Sequence, residues 1–321
     1  MAKQQSEGSL LVVGTGIQVP NQLTVEACAA IEAADKVFYG VADPITRHLL
    51  KQLHPQAESL SDLYGVDKPR SMTYREMVEK VLSAVRAGFK VCFVLYGHPG
   101  VFVNPSHTAI QQARREGFDA RMLPAISAED CLIADLGVDP GLQGCQSFDA
   151  WDFLLRRRRV DPTVPLLLWQ VAGIGEKNYP TSCNRANLAL LAEYLQQFYP
   201  STHEIIVYEA SPFAICDPKI ERLPLSKLSE VSVSNRSTVY IPAYGSTPID
   251  PEMAQRSGWN HLPIATALFD DSEKSGQFQG RENDASDERR RNFARQPASG
   301  VVIRYVLYDA STESNVSVYL P

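Results

Sequence analysis

The chain has 321 residues, 44% of them hydrophobic and 21% charged, with a net charge of −6. This is globular composition, at a length beyond the ~250–300 residues where a single core stops growing. The acidic balance argues against nonspecific nucleic-acid binding, and no apolar run approaches the ~20 residues of a membrane span, so neither nucleic acid nor membrane is an expected partner.

Residues 9–15, SLLVVGT, form a continuous apolar run ending in glycine, which predicts a buried parallel strand. Thr24 is a candidate cap for a helix in which Ala27, Ile31 and Ala34 recur at helical spacing. A second strand is expected at 36–39 (KVFY). Residues 74–88 read as a helix, with Met77, Val81 and Val85 at i, i+4 and i+8 and Gly88 as its stop. The strand at 90–96 (KVCFVLY) runs directly into Gly97-His98-Pro99-Gly100. A helix at 106–116 and a strand at 119–123 complete a rhythm that implies an α/β fold with a largely parallel sheet.

Past Pro124, Ser127 is the expected N-cap of a helix at 127–136. A buried strand at 164–170 (VPLLLWQ), a helix at 185–198 and strands at 204–210 and 237–242 follow. The expected organisation is an N-terminal α/β domain over 1–124, a second α/β domain over 125–250 and a C-terminal extension over 251–321. Residues 270–299 are polar, almost free of aliphatics, and read as a flexible linker. Residues 301–308 (VVIRYVLY) and 316–320 (VSVYL) have strand chemistry. Cysteines stand at 28, 92, 131, 145, 183 and 216 without a Cys-x-x-Cys pair, so no metal site is expected. With an N-terminus lacking an apolar signal stretch, this points to a reducing, cytoplasmic setting.

Ligands of open α/β sheets bind beyond the carboxyl ends of the strands. Two glycine turns fall there: Gly14-Thr15-Gly16, and Tyr96 to Gly100 followed by Val101 and Phe102. Neither is a dinucleotide fingerprint, since Ile17, Gln18 and Val19 supply no third glycine, and no phosphate loop is present. His98 has no second His or carboxylate at ligand spacing and reads as a loop residue. The run at 156–159 reads as a solvated face or a dimer contact, with a groove for an acidic peptide as the alternative. Trp169 reads equally as core.

Taken together and in order, these segments resemble a known family. VVGTGIQVPNQLTVEACAAIEAADKVFY is similar to the opening of the tetrapyrrole-methylase superfamily, LYGHPGVFVNPSH to its second glycine loop, and MLPAISAEDCLIADLGVDP to its interdomain segment. The usual loop of that superfamily is Gly-Gly-Asp-Pro; the aromatic residue and histidine here speak against a porphyrin or corrin substrate. YGHPGVFVNPSH followed by SAEDCLIADLG instead resembles the borosin peptide α-N-methyltransferases. The resemblance covers roughly residues 8–245.

It implies two α/β domains holding S-adenosyl-L-methionine in the cleft between them, a homodimer, and methylation of backbone amides in a ribosomally made precursor peptide. A backbone amide nitrogen is a poor nucleophile because its lone pair is delocalised into the carbonyl. Its proton must be removed, and its oxygen stabilised, while the donor is held in line. Arg70 and Tyr74 keep the family's spacing, and Tyr64 matches its proton-abstracting tyrosine. The implied roles are Tyr64 as base, Arg70 favouring its phenolate, Tyr74 donating to the amide oxygen and Tyr96 orienting substrate and sulfonium, with the base left open among the three tyrosines. Without the resemblance, Arg70 and Tyr74 read as a surface i, i+4 pair. The implied cofactor contacts are Tyr96, His98, Val101, Phe102, Ser127, Ala128, Gln170, Tyr208, Ala210 and the strand from Thr238 to Pro242, with Gly14 and Gly16 shaping the floor.

The substrate is either a separate peptide or the chain's own tail, 301–321, which a flexible linker of about thirty residues, spanning roughly 30 Å, carries to an active site. Two further functions stay open: methylation of a tetrapyrrole-like small molecule, and partner binding through the tail without catalysis.

Overall fold

The computed structural model describes residues 8–65, 68–176 and 184–258 in full, and 303–309 and 314–320 by their backbone. Met1–Pro248 form one compact unit and Ile249–Pro321 another.

The first sheet is built from β1 (Ser9–Gly14), β2 (Lys36–Gly40), β3 (Glu58–Ser59), β4 (Lys90–Leu95) and β5 (Asp119–Met122). Its order is β3-β2-β4-β1-β5 and every pairing is parallel. Parallel neighbours need crossover helices, supplied by α1 (Val25–Glu32), α2 (Pro44–Leu53), α3 (Arg70–Arg86) and α4 (Asn104–Arg115). Thr24 caps α1 by accepting from the Ala27 N–H at 3.1 Å, as expected. Helix α3 begins before residue 74, at Arg70. Helix α2 adds to the expected elements and carries its own start signal, Asp43 followed by Pro44. The central strands are apolar on both faces because both are covered. Leu10, Val12, Phe93 and Val91 pack under α3 and α4, while Val13, Cys92 and Val94 pack under α1 and α2.

Helices α5 (Ala128–Leu136) and α6 (Pro140–Gln143) lead into the second sheet. That sheet contains β6 (Gln146–Asp149), β7 (Leu166–Trp169), β8 (Glu204–Glu209), β9 (Lys219–Pro224) and β10 (Thr238–Ile241), with α7 (Ala150–Leu155) and α8 (Arg185–Leu195) between strands. Its order is β6-β7-β10-β8-β9. Only β6 and β7 pair in parallel; β10 runs antiparallel to both β7 and β8, and β9 antiparallel to β8. In this sheet the strands not expected from sequence are its edges, half-buried β6 and largely exposed β9, neither of which has an apolar run.

Side chains alternate across this sheet with period two. Leu166, Leu168, Ile205, Val207, Val239 and Ile241 face a core with α7 and α8. Leu167, Trp169, Ile206, Tyr208 and Tyr240 face α5, and Ile17 and Tyr96 from the loops of the first sheet pack into that same cluster. The two sheets are thereby joined through one apolar seam.

In the second unit, α9 (Pro251–Arg256) precedes a hairpin of β11 (Ile303–Asp309) and β12 (Ser314–Leu320), paired antiparallel from Ile303 opposite Leu320 to Asp309 opposite Ser314. The linker expected at 270–299 lies outside the described residues.

Candidate functional site

The two glycine turns lie side by side because β1 and β4 are neighbours at the centre of the first sheet. Gly16 and Gly97 exchange backbone hydrogen bonds, at 3.3 and 3.0 Å, and both have φ of +68°. Gly14 has no room for a side chain. A Cβ there lies 2.1 Å from the Gly97 carbonyl oxygen and 2.7 Å from Pro99 Cδ. Gln22 Oε1 accepts from the Ile17 and Gln18 N–H groups at 2.8 and 2.9 Å, fixing the first turn.

In the second turn, His98 Nδ1 accepts from the Gly100 N–H at 2.9 Å. The neutral ring therefore carries its proton on Nε2. A short side chain accepting from the backbone two residues on is an aspartate-like turn device, which accounts for a histidine standing where Asp is usual. Phe102 sits at φ +55° in the left-handed region, a costly conformation for a bulky residue.

From this floor a cleft opens toward the second sheet. It encloses about 790 Å³ including its open mouth. Its walls include Tyr96, His98, Val101, Phe102, Ser127, Ala128, Gln170, Ala210 and Thr238. Each arrives by a separate local cause. Ser127 caps α5 in a reciprocal box with Asp130, presenting the amino end of that helix. Gln170 leaves β7 at φ +56°, and Trp169, whose indole N–H donates to Ser147 Oγ at 2.7 Å, faces Phe102 with ring centroids 5.4 Å apart. Ala210 follows β8 and Thr238 opens β10.

Two residues expected at the cofactor do not reach the cleft. Tyr208 is fully buried and donates to Asp135 Oδ2 at 2.7 Å; burial first, then that carboxylate, pushes its phenol far up. Pro242 lies past the far end of antiparallel β10, its carbonyl bound by His203 Nε2 at 3.0 Å. Conversely, Ile17, Asn235 and Arg236 line the cleft without having been singled out as contacts, and Trp169, for which core was the alternative reading, lines it as well.

Tyr96 is half-buried just past β4, and Arg236 lines the same cleft from the loop before β10. Burial pushes the Tyr96 phenol up and the positive charge of Arg236 pulls it down, while Cys131 and Asp43 add to the rise. Arg236 also lies 3.7 Å from Glu209 Oε2, and Glu209 accepts from Ser234 Oγ at 2.9 Å and from Ser237 Oγ.

Tyr64 precedes α3 while Arg70 and Tyr74 stand in its first two turns, and none of the three lines the cleft. Lys68 Nζ and Thr73 Oγ1 both donate to the Leu63 carbonyl, at 2.9 and 3.4 Å, holding the segment that bears Tyr64 against the helix. Tyr64 is exposed, and Tyr74 lines a groove between α3 and α4 with Ser71, Arg75, Val78, Asn104 and Thr108. Arg70 reaches toward the cleft: its Nη2 lies 3.8 Å from where a Cβ on Gly173 would stand, just past Gln170. Among the described residues no group of three or more His, Cys, Asp or Glu could hold a metal ion, and no helix is long and apolar enough to cross a membrane.

A family model described as tetrapyrrole (corrin/porphyrin) methylases matches residues 9–228. The chain is 43% identical over 244 residues to the methyltransferase and cyclic-peptide gymnopeptides precursor of Gymnopus fusipes, covering 74% of this chain and 58% of that relative. It is 42% identical over 245 residues to the corresponding omphalotin A precursor of Omphalotus olearius, again covering 74% and 58%. A third relative, the dendrothelin A precursor of Dendrothele bispora, is 41% identical over 255 residues, covering 78% and 61%. The chain thus spans about three-fifths of the length of these curated relatives. The crystal structure of uroporphyrin-III-C-methyltransferase from Thermus thermophilus has the same fold, with a TM-score of 0.52 at 16% identity, covering 74% of this chain and 93% of that one.

Proposed function

The chain belongs to the tetrapyrrole (corrin/porphyrin) methylases, and from that premise we propose that it is an S-adenosylmethionine-dependent methyltransferase acting on backbone amides of a ribosomally made precursor peptide. The supporting observation is the cleft between the two sheets, most of whose lining falls within the family match at 9–228, in a chain similar to relatives named as methyltransferase and cyclic-peptide precursor.

The residues present suit the cofactor. Gly97 lines the cleft without a side chain, leaving its backbone open to a ligand, and Phe102 and Trp169 offer aromatic surface to an adenine or a sulfonium. The amino end of α5 stands in the cleft wall through Ser127 and Ala128. When bound, S-adenosylmethionine supplies an electrophilic methyl group and leaves as a neutral thioether. The protein must hold the amide in line, stabilise its oxygen as the nitrogen loses its proton, and keep water out. Tyr96, in the cleft wall, is placed to donate to that oxygen. Tyr64, Arg70 and Tyr74 are assigned to proton removal and amide orientation, with Arg70 linking their segment to the turn at Gly173.

The substrate is a separate peptide or the tail at 301–321, and we assign a homodimer and a cytoplasmic location to the same reading. The test is mass spectrometry of the intact chain, expressed alone and with a library of short peptides. Increments of 14 Da on the tail support the fused form and increments on added peptides the separate one. Their absence from both, with S-adenosylmethionine present, refutes the reading. Light scattering tests the dimer.

A further inference from the structure

We propose that Ser106 and His107, consecutive residues in the first turn of α4, are positioning residues: their side chains brace the Pro99 and Gly100 carbonyls and thereby hold His98 with its Nε2–H presented to the cleft. The inference rests on the function proposed above and deepens it, naming what keeps one wall of the cofactor site in place.

A carbonyl oxygen only accepts, so each contact fixes which group donates. The single Ser106 hydroxyl hydrogen is shared between the Pro99 carbonyl at 2.5 Å and the Val103 carbonyl at 2.7 Å. His107 Nε2 donates to the Gly100 carbonyl at 2.8 Å. The Pro99 carbonyl and the Gly100 N–H belong to one planar peptide group, and that N–H donates to His98 Nδ1 at 2.9 Å. A fixed plane gives a fixed donor, and hydrogen bonds in series strengthen one another. The series runs from the Ser106 hydroxyl through the 99–100 peptide to the imidazole. With Nδ1 occupied, Nε2–H is the donor the ring has left, and His98 lines the cleft.

Two further observations tie the brace to the cleft. Ser106 is fully buried, and its two carbonyl partners stand on either side of Phe102, the cleft residue held at φ +55°. A bulky residue stays in that region only where its surroundings over-determine it, and closing residues 99–103 on one hydroxyl does so. A Cβ on Gly100 would lie 3.3 Å from His98 Cε1 and 3.4 Å from Nδ1, so the ring lies directly against the braced residue.

The test uses the full chain labelled with ring-15N histidine, with the His98 signals assigned from His98→Asn. In the wild type the neutral ring shows Nε2 protonated and Nδ1 as a hydrogen-bonded acceptor. In Ser106→Ala and in His107→Ala the two nitrogen shifts move toward each other as the second tautomer becomes populated. Affinity for S-adenosylmethionine, measured by calorimetry, falls about fivefold in each, the worth of about one hydrogen bond. His107→Gln keeps a side-chain N–H donor and restores most of both readouts, which a purely structural role would not require. Because His107 is exposed, its variants carry the test even if Ser106→Ala fails to fold.

A wild-type His98 protonated on Nδ1 overturns the brace, as do nitrogen shifts unchanged in the variants. Moved shifts with unaltered affinity overturn its service to the cleft. If the shifts behave as expected but the wild-type chain binds no S-adenosylmethionine, the proposed function fails while the brace itself stands.

Discussion

Gly14→Ala probes the floor of the cleft most directly. The added methyl would lie 2.1 Å from the Gly97 carbonyl oxygen, 2.7 Å from Ala125 Cβ and 2.7 Å from Pro99 Cδ. Flexible side-chain ends move aside cheaply; this oxygen is backbone, and it already accepts from the Gly16 N–H. The Gly97 N–H is likewise committed to the Gly16 carbonyl, at 3.0 Å. Relief therefore requires the two turns to part, breaking hydrogen bonds worth about 1 kcal/mol each in addition to the ~1–3 kcal/mol typical of overpacking.

We expect a loss of about 3 kcal/mol, or roughly 6–12 °C in Tm for a unit of this size. Affinity for S-adenosylmethionine, measured by calorimetry on the folded variant, should fall at least about tenfold. Gly117→Ala is the control. Its φ is +90° but no atom lies within 4 Å of the added Cβ, so only the left-handed backbone strain of about 1–2 kcal/mol remains, and binding is unchanged. If Gly14→Ala matches wild type in both Tm and affinity, or if both variants lose affinity alike, the reasoning from close backbone approach is refuted.

Four further outcomes follow from the same geometry. Ser127→Ala removes the capping box of α5, with an expected loss of about 1 kcal/mol in urea denaturation and weaker cofactor binding as the helix start loosens. Tyr208→Phe removes the donor to Asp135 beneath the cleft; stability falls by about 1–2 kcal/mol, and cofactor affinity measured by calorimetry stays within about twofold. Phe102→Gly relieves the φ of +55° but deletes the ring facing Trp169, so Tm changes little while affinity falls about tenfold. Tyr199 is pushed up to about 12, by burial first and then by Asp161. A raised phenol keeps its contribution below the ordinary value of ~10 and loses it as pH climbs through about 12, a loss of no more than roughly 3 kcal/mol. Denaturation between pH 9 and pH 12 should show that decline reduced in Tyr199→Phe, and an identical decline in the variant refutes the assignment.

The sequence by itself determined the alternation of strands and helices in the first sheet. Its central strands, such as 90–96, are buried on both faces and so are written as unbroken apolar runs, and Thr24 and Ser127 are caps whose hydrogen bonds close within three residues. The glycine turns were legible for the same reason, since the close approach at Gly14 excludes any other residue. Edge strands β6 and β9 were not legible, because a strand at a sheet edge is not buried on both faces and needs no continuous apolar run.

What only the tertiary structure decided is which residues meet across the cleft. Because β10 runs antiparallel to β7 and β8, the loop before it, with Asn235 and Arg236, comes to the same edge as Gln170 and Ala210, while Pro242 is carried to the opposite edge. Strand direction in a sheet is set by pairing with neighbours distant in sequence, and the side a residue faces is set by what packs there. Tyr208 and Trp169 therefore share one face yet differ in fate: one is sealed beneath α5 by Asp135, the other is left open to Phe102.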